Sequence, residues 1–168
     1  MIYRKKIPLE YFITYGYGES NYSIHAGSFD QALKKAKIHN ANLIFYSSIL
    51  PKEAKEVKMR KIESGEVLDC IAAVANGRKN QKIVAGLAIG YVYKKKEFVC
   101  GLVAEYHENG SIKKAKNNLR NCIKEMFKSR FGKGYKLKKI RYIIKEFKPK
   151  KKFGTVVVAI VFTKHKLV

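Results

Sequence analysis

Acid is scarce in this chain: 13 Asp and Glu stand against 36 Lys and Arg, and only two of the acids, Asp30 and Asp69, are aspartates. Long apolar runs are missing as well. The richest ones, near residues 84–93 and 155–162, are far too short to span a bilayer. The amino terminus, Met1-Ile2-Tyr3-Arg4-Lys5-Lys6, has no continuous apolar stretch, so no signal peptide is expected. Cysteine is limited to Cys70, Cys100 and Cys122, an odd number without metal-ligand spacing. These read as reduced core residues. The four histidines (His25, His39, His107, His165) are scattered, and no metal cluster, P-loop or dinucleotide fingerprint occurs. Repeats, low-complexity segments and linkers are lacking too. One soluble, cytoplasmic domain without membrane contact is the expectation.

What is present is charge and apolar content. The net charge is +23, and 46% of the residues are hydrophobic, which suits a globular chain with a real core. A charge of that size suggests nucleic-acid or anionic-membrane binding. The competing reading is a lysine-rich solvated surface. Six of the basic residues are arginine, the more specific phosphate reader, and the lysines are spread along the whole chain. Nucleic acid stays the alternative partner, not the first.

Taken in order, residues 4–15 read as a strand, 16–20 as a turn and 21–26 as a second strand. Ser28 with Gln31 forms a capping box for a helix running to about Ile38, with Phe29, Ala32, Leu33 and Ala36 on one stripe. Residues 43–46 read as a buried strand. After Pro51 a polar segment runs to Gly65, read as loop with a short extended piece. Three strands come next: 67–75 ending in an Asn76-Gly77 turn, 82–93, and 98–106. Ser111 caps the longest helix, whose face is Ile112, Ala115, Leu119, Cys122, Ile123, Met126 and Phe127. Gly132 ends it, with Lys128 and Arg130 suiting its carboxyl end. Strands over 136–147 and 153–163 close the chain. Each helix hides one stripe only, so each must lie on the outside of a sheet. The expected class is α+β, with two stacked, mainly antiparallel sheets and a helix on each outer face.

The stretch Asn42-Leu43-Ile44-Phe45-Tyr46-Ser47-Ser48-Ile49-Leu50-Pro51 stands apart. A strand stops on two serines and is then forced to turn by a proline, which can hold a peptide bond under strain. Alone, a Ser-Ser pair is usually an ordinary turn. Its context changes the weight. Ser28-Phe29-Asp30-Gln31-Ala32-Leu33, Asn40-Ala41-Asn42-Leu43-Ile44, Ser47-Ser48-Ile49-Leu50-Pro51-Lys52-Glu53-Ala54 and Cys100-Gly101-Leu102-Val103-Ala104-Glu105-Tyr106 together resemble the pyruvoyl-dependent arginine decarboxylases. The resemblance runs from about Gly16 onward.

That resemblance implies a four-layer αββα sandwich assembled as a homo-trimer. It also implies an enzyme that cuts itself between Ser47 and Ser48, giving a small chain 1–47 and a large chain 48–168. The hydroxyl of Ser48 would attack the Ser47 carbonyl; elimination, then loss of ammonia, would leave a covalent pyruvoyl group at residue 48. Its ketone would form a Schiff base with arginine and accept the electrons released with CO₂, yielding agmatine. Asn42 would polarise the attacked carbonyl and contact ligand, in place of merely capping a strand. Glu105 would be the general acid; from the strand pattern alone a solvent-facing glutamate is the competing reading. Asp30 would pair with the substrate guanidinium, where the residues alone equally allow a helix-dipole role. Leu33 and Ser47 would complete the substrate site.

Four places depart from the family pattern: Lys37, Lys52, Asp69 (where proline is usual) and the turn Asn76-Gly77-Arg78-Lys79-Asn80. They leave another basic amino acid open as substrate, or a non-catalytic polyanion-binding protein of the same fold.

Overall fold

The computed structural model describes residues 5–168. The start of the first expected strand and the reading of the amino terminus fall partly on residues 1–4, which lie outside the described residues. Nine strands and two α-helices follow: β1 (Lys6–Ser20), α1 (Asp30–Lys35), β2 (Asn42–Phe45), β3 (Ile49–Pro51), β4 (Lys55–Glu56), β5 (Val67–Arg78), β6 (Ile83–Lys94), β7 (Glu97–Asn109), α2 (Ile112–Arg130), β8 (Tyr135–Phe147) and β9 (Phe153–Leu167). They build one five-stranded sheet, in the order β2-β5-β9-β1-β4, and one four-stranded sheet, β3-β7-β6-β8. All pairings are antiparallel except β1 with β4 and β2 with β5.

The layers follow from the two-residue period of the strands. Ile71, Ala73, Val158, Ile160 and Phe162 point from one sheet, and Leu87, Ile89 and Val103 from the other, into a shared middle core. The alternate residues Cys70, Ala72, Val157, Ala159 and Val161 face out and are covered by Ala32 of α1 and by Ala36 just after it. Val84, Ala88, Leu102 and Ala104 face out on the other side, under Ala115, Leu119 and Ile123 of α2. Leu119 and Ile123 are fully buried, and each contributes about 1.5–3 kcal/mol by leaving water. The expected αββα sandwich is therefore the observed one. Among the described residues no helix is long and apolar enough to cross a membrane.

Several local expectations change. Residues 16–20 do not turn, and β1 runs unbroken to Ser20 along β9. The glycines there serve packing: a Cβ on Gly16 would lie 2.0 Å from the Ala32 carbonyl oxygen, and one on Gly18 2.4 Å from that of Ser28. Only a strand bare at those points lets α1 lie this close. The second strand expected over 21–26 is instead a turn of π-helix, Ile24–Phe29, leading straight into α1. Ser28 is not a cap. It is buried, and its hydroxyl shares a 2.8 Å hydrogen bond with that of Thr155 on β9, because a chain already helical before α1 offers no free amide to cap. Asn76-Gly77 stays in strand, paired with Thr155 and Gly154, and the turn falls later, where Asn80 takes a positive φ of 64°. Ser111 does cap α2, its hydroxyl accepting from the Lys114 amide at 3.2 Å. The helix ends by running into extended backbone at Phe131 rather than at Gly132.

Candidate active site

The expected buried strand at residues 43–46 proves to be the exposed edge of the five-stranded sheet. Only β5 pairs with β2, so one of its sides meets no strand, and Ile44 and Phe45 are 47% and 53% exposed. Its start is held by the Asn42 amide donating to the Glu66 carbonyl at 2.7 Å. The last tie to this sheet is the Tyr46 amide, which donates to the Cys70 carbonyl at 2.6 Å. Two residues later the chain belongs to the other sheet: the Ser48 carbonyl accepts from the Val103 amide of β7 at 2.8 Å, and β3 continues along β7 with Ile49 opposite Leu102. The Ser47–Ser48 peptide is thus the crossing between the two sheets, anchored on both sides within two residues. Pro51 ends β3 without preventing its pairing, opposite Cys100.

The anchor ahead of the serines is charged. Asp69 on β5 is 3% exposed and faces the middle layer, with Lys6 Nζ 2.5 Å and His165 Nε2 2.9 Å from its Oδ2. The Tyr46 ring packs beside Phe162, with centroids 5.7 Å apart. Its phenol is pushed up, by burial first and then by the Asp69 carboxylate. Burial and the Lys6 charge lower His165, against the pull of Asp69. The family departure at Asp69 is therefore the centre of an ion cluster that the sequence did not signal.

Glu105 lies on β7, opposite Leu87 of β6 and two residues beyond Val103, so it shares the inward face of the strand. It is half-buried, and that burial holds its carboxyl above the ordinary carboxylate value, with His107 pulling slightly the other way. An acid in that state can keep a proton. The separation along β7 from the residue that grips Ser48 is about 7 Å, a distance a substrate can bridge.

Asp30 and Leu33 belong to α1, and Asn42 opens β2. Asp30 is exposed at the start of α1, and Leu33 packs partly buried between α1 and the five-stranded sheet. Asn42 is exposed at the head of β2, five residues ahead of Ser47. The single chain thus brings Ser47, Ser48 and Glu105 to one region, with Asp30 and Leu33 on α1, outside the five-stranded sheet, and Asn42 on its edge strand. A cleft of about 820 Å³ is present, but it is lined by residues such as Tyr17, Tyr22, Lys34 and Phe147 and by none of these six.

One contact was unforeseen. Arg130, the last residue of α2, donates from Nη2 to Ser48 Oγ at 3.4 Å, across 82 positions of sequence. A basic residue at a helix end looks like a dipole partner, and nothing in the pattern of residues links it to the serine pair.

The family model described as pyruvoyl-dependent arginine decarboxylase (PvlArgDC) matches residues 10–167. Relatives bearing that name include one from Methanococcus maripaludis, 35% identical over 68% of each chain. Another, from Methanocaldococcus jannaschii, is 32% identical over 84% of this chain and 82% of the relative. A third, from Methanopyrus kandleri, is 29% identical and spans 93% of this chain and 97% of the relative.

Proposed function

The chain belongs to the pyruvoyl-dependent arginine decarboxylases, lyases that carry a covalently bound pyruvoyl group, and from that premise we propose that it makes this group by cutting its own Ser47–Ser48 bond. The observation that carries the proposal is the crossing between sheets. A peptide tied to one sheet through Tyr46 and to the other through Ser48 is held in a fixed place, with the Ser48 side chain next to the carbonyl it would attack. Ser48 supplies the β-hydroxyl that the cut needs. Its hold on Val103 does not involve the peptide being broken, so residue 48 stays on β7, near Glu105, when it becomes the amino terminus of the 48–168 chain.

Once formed at residue 48, the pyruvoyl group would supply an electron sink for the electrons released when arginine loses its carboxyl group as CO₂. The remaining work falls to side chains. Glu105, whose carboxyl burial shifts toward its protonated form, delivers a proton to the former α-carbon after CO₂ leaves. Asp30 accepts both edges of the guanidinium, which a site inside a +23 protein needs in order to hold a cation. Leu33 offers apolar contact to the methylenes, and Ser47 and Asn42 offer polar contacts. Asp30→Asn should raise the KM for arginine about ten- to a hundred-fold, the worth of a charge-assisted pair, with kcat less affected. Agmatine release measured against arginine concentration checks this, with lysine and ornithine as competing substrates. An unchanged KM would move the guanidinium site elsewhere.

The assembly we propose is a homo-trimer in which Asp30, Leu33 and Asn42 of one protomer complete the Ser48–Glu105 region of the next. Support comes from the surface around the edge strand, where Ile44, Phe45, Ile49 and Val67 are 42–61% exposed, an apolar fringe suited to burial against another copy. Phe45→Glu should therefore yield monomers by light scattering where the parent yields trimers, and decarboxylation should fall with assembly. A trimeric Phe45→Glu protein would place the interface on another face. Three free thiols, one of them (Cys70) buried and pushed up to about 12, favour a reducing, cytoplasmic setting.

A further inference from the structure

Each arginine among the described residues has a partner, and only one of those partners is a reacting group. Arg60 pairs with Glu66 and Arg141 with Glu56; Arg120 donates to Asn117, and Arg78 lies over the Phe153 ring. Arg130 is in none of the ion pairs of the described residues. The partner it does have is the Ser48 hydroxyl, at 3.4 Å. Its location is built, not incidental. Leu119 and Ile123 dock α2 on the sheet that holds Ser48, and the helix end is held by Phe131, stacked on Phe127 at 5.6 Å and tilted against Tyr135 at 5.1 Å. The guanidinium also lies close enough to Cys100, opposite Pro51, to offset part of the burial that raises that thiol.

We propose that Arg130 is a catalytic residue of self-cleavage, stabilising the negative charge that builds on Ser48 Oγ when the ester between residues 47 and 48 is eliminated. The inference rests on the proposed cut at Ser47–Ser48. Following the oxygen shows why. In the first step Oγ bonds to the Ser47 carbonyl carbon, the carbon–nitrogen bond breaks, and the hydroxyl proton ends on the freed amine of residue 48. In the second step solvent takes the Cα proton of residue 48. The Cβ–Oγ bond then breaks with its electron pair moving to Oγ. That oxygen leaves as part of the Ser47 carboxylate, so the atom Arg130 contacts is the one on which charge develops. A planar, permanently charged guanidinium suits a carboxylate leaving group, and preorganised donors act most strongly where charge appears. In the first step the same oxygen is the nucleophile and gains less from a donor. Arg130 therefore acts mainly on elimination, and afterwards pairs with the new carboxyl end of the small chain.

The test follows precursor made by cell-free translation over time, by denaturing mass spectrometry, with and without hydroxylamine. Without Arg130 the ester should outlive its normal lifetime about ten- to a hundred-fold, the loss of one charge-assisted hydrogen bond. In Arg130→Ala and Arg130→Gln, hydroxylamine should then split the accumulated ester into residues 1–47 bearing a hydroxamate and 48–168 beginning with serine instead of pyruvoyl. Arg130→Lys keeps the charge and should fall between these and the parent. Arg130 is exposed, so the three variants should share the parent's circular dichroism. Pyruvoyl formation at the parental rate in Arg130→Ala would overturn the proposal. So would a folded Arg130→Gln chain that stays intact and resists hydroxylamine, since the block would then precede the ester. Parent protein that never splits would instead remove the cleavage reading, and this proposal with it.

Discussion

Ser48→Ala should yield a single unbroken polypeptide where the parent yields two, residues 1–47 and 48–168. The effect is all or none because the methyl side chain removes the only oxygen that can take the acyl group from the Ser48 nitrogen. No pyruvoyl group forms, so decarboxylation should be lost entirely rather than reduced. The fold should persist: Ser48 is held by its carbonyl to the Val103 amide, a contact that alanine keeps. The masses of the purified chains under denaturing conditions decide the matter. Ser48→Thr extends the test, since its hydroxyl permits the acyl shift but would leave a different keto group, heavier by one methylene. Splitting at this position in Ser48→Ala would refute the mechanism. An intact parent chain with a serine still at 48 would remove the basis for cleavage there.

Glu105→Gln should separate maturation from turnover. The amide is close to the carboxyl in size, and Glu105 takes no part in the acyl shift, so the chain should still be cut. What it cannot do is deliver the proton to the former α-carbon. Loss of a positioned general acid costs about 10²–10⁴-fold in rate. The pH profile gives a second readout whose sign is fixed by the direction of the shift. Burial raises the Glu105 carboxyl above its ordinary value, so the useful, protonated form exists below that raised pKa and is lost as pH rises through it. Activity should therefore have an alkaline limb governed by Glu105, and that limb should be missing from the residual activity of Glu105→Gln. Unchanged kcat in the variant would move the acid role to another group.

The +23 charge bears on how the substrate arrives. Arginine and agmatine are repelled by the surface at low ionic strength, and salt screens that field over about 10 Å at 0.1 M. The lysines pair with few acids, and the ion pairs they make are mostly exposed, as with Lys61–Glu63 and Lys114–Glu108. Such pairs add little stability. The acids that matter are those with a task, Asp30 and Glu105 at the proposed site and Asp69 beneath it.

The layered fold was readable because burial leaves a period. Ala115, Leu119 and Ile123 recur on one face of a long helix, and the apolar runs of β6 and β9 declare strands covered on both sides. The misreadings share one cause. Gly16, Gly18, Ser28 and the Asn76-Gly77 pair carry local signals for turns and caps, yet each is recruited by a partner distant in sequence: a crossing helix, Thr155 or β9. Residues 43–46 looked buried because they are apolar, and the single chain leaves them at an open edge.

By itself the sequence determined the chemistry available: a serine pair at the end of a strand, a lone glutamate in an apolar run, one aspartate at a helix start, and the family these blocks belong to. Tertiary structure alone decided how that chemistry is arranged. It made the Ser47–Ser48 peptide a bridge between two sheets, brought Arg130 to the Ser48 hydroxyl and set Asp69 between Lys6 and His165. The reason is that local order records which residues are close along the chain. A reaction needs groups close in space, and here that closeness comes from sheets and a helix that meet across more than 80 positions of sequence.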